Sequence, residues 1–91
     1  MEVFVIVKTR HDVDGGKFEV NVVGLYANKK DARRLFDFET TKAKQEFSKV
    51  DSNQEYSIED HSNGTIETFQ IEEVGQETTN YCTIKLQKKI L

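Results

Sequence analysis

Two histidines stand beside acids, and that is where metal or acid–base chemistry would start. His11 opens the stretch "HDVDGG", and His61 lies in "DHSNG". An imidazole nitrogen with carboxylate oxygens is a recognised metal-ligand set. "DVDGG" also resembles a fragment of a calcium loop, yet the full spacing and its terminal Glu are missing. The same residue types make turns, because Asp and Asn bond their own backbone and Gly relaxes it. His11, Asp12, Asp14, Asp60 and His61 would form a cluster only if the two segments met. Taken one at a time, the segments read as turns, and no metal ligand is expected.

The other reactive groups lack partners in the sequence. Cys82 shares a strand phase with Ile84 and Leu86, so it reads as a buried thiol acting as a small hydrophobe. A nucleophilic cysteine would need an activating base and solvent access. The serines Ser48, Ser52, Ser57 and Ser62 sit in no nucleophile elbow. "DGG" lacks the Gly-rich approach and the following Lys-Ser or Lys-Thr of a phosphate loop. The pair Glu72-Glu73 is not a facing pair of carboxylates across a cleft. No enzyme chemistry and no cofactor are expected.

A cationic group and one aromatic residue remain. Lys29, Lys30, Arg33 and Arg34 cluster where a helix is expected to begin, and Lys42, Lys44 and Lys49 continue the positive character. Asp31, Asp37, Glu39 and Glu46 interrupt it, and helical acid–base pairs account for much of the pattern without a ligand. Phe38 does not fit the apolar stripe and would point away from it on a straight helix. Lys29, Lys30, Arg33, Arg34 and Phe38 are therefore the candidate interaction residues. Aromatic side chains supply large contact area at interfaces.

The elements that must carry these residues follow from periodicity. Glu2 to Lys8 reads as a strand with both faces apolar: Val3, Val5 and Val7 on one, Phe4 and Ile6 on the other. That places it inside a sheet or covered on both sides. "RHDVDGG" reads as a connection. Phe18 to Tyr26 is a second strand whose alternation slips at "VVGL", with Gly24 as a candidate bulge. Asn28 is a favoured helix cap, with Asp31 three residues on. Ala32, Phe36, Ala43, Phe47 and Val50 then recur at near-helical spacing, widened by Leu35. Glu39 occupies a place where that stripe asks for an apolar group. "ETT" weakens the helix, so one bent helix or two shorter ones are both compatible. Gln54 to Asp60 and Thr65 to Glu73 flank Asn63-Gly64, a strong hairpin signal. Asn80 to Lys88 is the last strand. The expected fold class is α+β: five strands, mainly antiparallel, with one main helix on one face, in the order β-β-α-β-β-β.

The 91 residues fit one small domain (residues 1–91). A lone cysteine excludes an internal disulfide and fits a reducing compartment, with the cytoplasm as the expected location. The opening residues lack a basic n-region and a cleavage site and read as a strand, not a signal peptide. No apolar run reaches membrane-spanning length. Net charge is −3. Residues 28–50 hold seven Lys or Arg against four acids, and residues 51–91 hold three Lys against eight acids. This asymmetry suits self-association or a protein partner. A nucleic-acid binder would carry a more basic balance, so nucleic acid is not the expected partner.

The stretches "VFVIV" and "VVGLYANKKDA" give residues Met1 to Leu35 a resemblance to small uncharacterised proteins of bacteria and their phages. The resemblance implies a bacterial or phage origin and a cytoplasmic setting. It carries over no catalytic residue. The sequence thus points to a non-enzymatic protein-interaction module, with homodimerisation as one form of that role. The alternative is a nucleotide- or metal-binding accessory domain built on the acidic loops or the basic helix start.

Overall fold

A computed structural model describes residues 1–12, 16–58, 64–74 and 80–91. The chain runs β1 (Glu2–Asp12), β2 (Lys17–Tyr26), α1 (Lys29–Glu46), β3 (Ser52–Ile58), β4 (Thr65–Glu73) and β5 (Tyr81–Ile90). The strands form one sheet in the order β2-β1-β5-β4-β3, and all neighbours pair antiparallel. The helix carries the chain from one edge of the sheet to the other and packs on one face. The expected α+β architecture is the one observed.

Local chemistry explains the helix start. Asn28 holds extended backbone angles, and its Oδ1 accepts from the Asp31 N–H at 2.9 Å. Its Nδ2 donates back to the Asp31 carboxylate, also at 2.9 Å. Two groups at the start of the helix thus satisfy each other, as in a capping box. "NKKD" is punctuation between β2 and α1. The helix is single and ends at Phe47, whose N–H donates to the Ala43 carbonyl. The Gln45 carbonyl accepts from both the Ser48 N–H and the Ser48 hydroxyl, the latter at 2.7 Å. The apolar stripe therefore stops at Phe47, and Val50, expected on it, is exposed.

The core lies between helix and sheet. Ala32, Phe36, Ala43 and Phe47 meet Phe4 and Ile6 of β1, Phe69 and Ile71 of β4, and Cys82, Ile84 and Leu86 of β5. Tyr56 of β3 closes one side, edge-on to both Phe36 and Phe69. Glu39 interrupts the stripe for a reason the sequence left open. Its carboxylate accepts from the Lys8 ammonium at 3.2 Å, and both side chains are largely buried. Arg10 and Glu46 pair two helical turns further along. β1 thus faces the helix with Phe4 and Ile6, then with Lys8 and Arg10, and α1 answers each in kind.

Burial pushes the Cys82 thiol above its ordinary range, and the nearby Lys8 charge offsets this only in part. The thiol is therefore protonated, and it is buried as its strand phase predicts.

Candidate interaction surface

The expected bulge is present, and it sets what β2 shows to solvent. Ile6 pairs with Gly24, but Val7 pairs with Val22, so Val23 is the extra residue. Directly opposed residues of antiparallel strands point to the same face. Phe18, Val20, Val22 and Leu25 pair with His11, Thr9, Val7 and Val5. They therefore share the face opposite the helix. Without the bulge, Leu25 would fall out of phase with the other three. With it, four apolar side chains stay in line, while Val23 and Tyr26 turn toward the core.

Gly24 is needed at this point for space. Its φ is not positive, yet a Cβ here would overlap Leu35 Cδ2 and crowd the Tyr26 ring. The missing side chain lets α1 lie close against β2.

No described element covers the row. Phe18, Val20, Val22 and Leu25 are 62%, 58%, 65% and 59% exposed. They lie on an edge strand, because β2 has β1 on one side and no described strand on the other. Scattered single apolar residues on a surface carry no message, but contiguous ones mark contact sites. A free strand edge also presents unpaired N–H and C=O groups that another chain can take up. Both features coincide on β2.

On β1 the same sheet face carries Val3, Val5 and Val7, of which Val3 and Val5 are buried, and beyond β1 it is polar. Thr9, Ser57, Thr68, Gln70, Thr83 and Lys85 line a shallow depression over β1, β5, β4 and β3. At the end of the β2 row, Phe18, His11 and Tyr81 stand side by side on adjacent strands. The His11 ring lies 5.9 Å from Phe18 and 5.3 Å from Tyr81, centroid to centroid. The other edge strand, β3, is shorter, and its open side carries Asn53, Glu55 and Ser57. The exposed apolar character of the open face is thus concentrated at β2.

The sequence-nominated residues are placed elsewhere and do not form one patch. Lys29, Lys30 and Arg33 line a groove with Ile58, Ile66 and Glu67. Arg33 is already engaged there, because its guanidinium pairs with the almost fully buried Glu67 carboxylate. Arg34 and Phe38 are one turn apart on the outer surface of α1. Phe38 is 62% exposed, as its departure from the stripe predicts. Its helix neighbours Arg34, Asp37, Thr41 and Lys42 are exposed and polar, so it stands alone. It projects from the side of the molecule opposite the β2 row.

The histidine reading is corrected for His11 and Asp12. They belong to β1, which runs to Asp12, and not to a connecting loop. Cross-strand pairing with Phe18 and Lys17 extends the strand that far. Asp14, Asp60, His61 and Asn63 lie outside the described residues. Among the described residues, no group of three or more His, Cys, Asp or Glu side chains could hold a metal ion. Among them, no helix is long and apolar enough to cross a membrane.

Sequence reasoning missed the β2 row although its signal was present. The alternation of Phe18, Val20 and Val22 with Glu19 and Asn21 was visible. Alternation alone does not say which phase faces the core, and the apolar phase faces outward here. No protein-family model, curated protein or solved structure matches this chain.

Proposed function

We propose that this protein is a non-enzymatic interaction module whose contact surface is the open side of β2. One observation carries the reading: Phe18, Val20, Val22 and Leu25 form an uncovered apolar row on a free strand edge. Burying such a row against a partner removes apolar area from water, and the edge supplies backbone hydrogen bonds at the same contact. The two terms act together only if the partner brings an extended segment. The buried, protonated Cys82 agrees with a role that does not use its thiol.

The test is site-specific photo-crosslinking in the source cells. A photoreactive phenylalanine analogue replaces Val22 in one variant and Phe38 in another. The Val22 position is expected to give discrete protein adducts, whether to a second copy or to another protein. The Phe38 position is expected to give few. Absence of any adduct from Val22, with the protein folded and expressed, would overturn this reading.

A further inference from the structure

We infer that the occupant of this surface is a second copy of the same chain, joined β2 to β2 in antiparallel register with Val20 on the two-fold axis. The inference rests on the reading of β2 as the contact surface and names its partner. A two-fold axis perpendicular to the sheet pairs each residue with one facing the same way. Both apolar rows then fall on the same side of a continuous sheet made from two five-stranded ones.

The sequence of β2 selects among the two-fold registers. Pairing must stay clear of the bulge at Val23, where the ladder is locally disrupted. That leaves the regular segment from Lys17 to Val22. An axis at Phe18 would set Val20 against Gly16, outside the strand, and an axis at Asn21 would set Phe18 against Gly24 beyond the bulge. An axis at Glu19 would put two carboxylates directly opposite each other, which is destabilising. An axis at Val20 pairs Val20 with its own counterpart and Phe18 with Val22 twice. On the other face it pairs Glu19 with Asn21 twice. The Asn21 amide donates and the Glu19 carboxylate accepts, so each strand supplies what the other needs. Each Glu19 also keeps Arg10 of its own copy as its cross-strand neighbour. No like charges face each other directly.

β3 offers no such match. It is seven residues long, its face away from α1 is polar, and its exposed Tyr56 and Ile58 lie on the helix side without forming a row like that of β2. Self-pairing therefore stops at a dimer instead of continuing from edge to edge.

The experiment is a charge exchange at the axis, read by sedimentation equilibrium over a wide concentration range. The wild-type chain is expected to approach twice its 10.5 kDa mass. Val20→Glu alone and Val20→Lys alone each set like charges face to face across the axis. Each is expected to weaken the dimer about tenfold or more. An equimolar mixture of the two is expected to restore it. Val20 is exposed, so both variants should retain the wild-type far-ultraviolet circular dichroism. Asn21→Glu gives a second reading should either Val20 variant fail to fold, because it sets a carboxylate directly opposite Glu19 twice across the axis and should weaken the dimer. A wild-type chain that stays monomeric at the highest concentration overturns the inference. So does a mixture no tighter than its components. A monomer that still gives Val22 adducts to another protein overturns self-pairing and leaves the contact surface standing.

Discussion

The two faces of the sheet carry similar amounts of aliphatic sequence and treat it in opposite ways. Toward α1, Phe4, Ile6, Phe69, Ile71, Ile84 and Leu86 are buried, and the charged groups that enter that layer are paired. Lys8 meets Glu39, Arg10 meets Glu46 and Arg33 meets Glu67. Away from α1, Phe18, Val20, Val22 and Leu25 stand in water. Apart from the exposed Ile58 at the end of β3, the helix-side layer is closed within one chain, whereas the apolar row on β2 is not. The difference teaches that apolar alternation reports a face, and only the neighbouring elements decide whether that face is closed.

The largest effect that sharpens this comparison belongs to the closed side. Phe36 is fully buried at the centre of the helix–sheet core and touches Tyr56 edge-on. Phe36→Ala is expected to lower unfolding stability by about 3–5 kcal/mol in urea titration, the range for large-to-small core changes. A loss below about 1 kcal/mol would mean that this side is not the protein's main core.

A smaller effect is expected at the ion pair inside that layer. Lys8→Met leaves the largely buried Glu39 carboxylate without its cation. Breaking a fully buried pair costs about 3–5 kcal/mol, and this pair keeps some solvent contact, so about 2 kcal/mol is expected. The same urea titration measures it. A neutral outcome would show that water replaces Lys8 and that the match of charges across the layer is incidental.

Much of this architecture was legible in the residues. Asn28 with Asp31 announced the helix start, because a side-chain acceptor and a first-turn acid satisfy the free N–H groups there. The spacing of Ala32, Phe36, Ala43 and Phe47 announced the buried face of α1. Gly24 marked the bulge, although the need it meets is room for Leu35 more than backbone freedom. Cys82 was readable as a core residue from its phase. Glu39 was visible as an anomaly but not as half of a pair, because Lys8 lies 31 residues away in sequence. The end of β1 was misjudged, since turn-forming residues such as His11 and Asp12 extend a strand when a partner strand is there to pair with them.

The candidate surface was less legible. Phe38 drew attention because it broke a helical pattern, and it stands exposed among polar helix neighbours. The β2 row broke no pattern. Its outward direction depends on the register with β1 and on which face α1 covers. Both are properties of long-range pairing, and neither is encoded within the strand itself.

The central claim is that β2, and not β3, is an edge used by another copy of the chain. Amide hydrogen exchange measured on dilute and concentrated protein tests it most directly. The account predicts that amides between Phe18 and Val22 become more protected as concentration rises, while those of Asn53 to Ser57 do not change. Equal exchange of the β2 amides at both concentrations, or protection that grows along β3 instead, would contradict it.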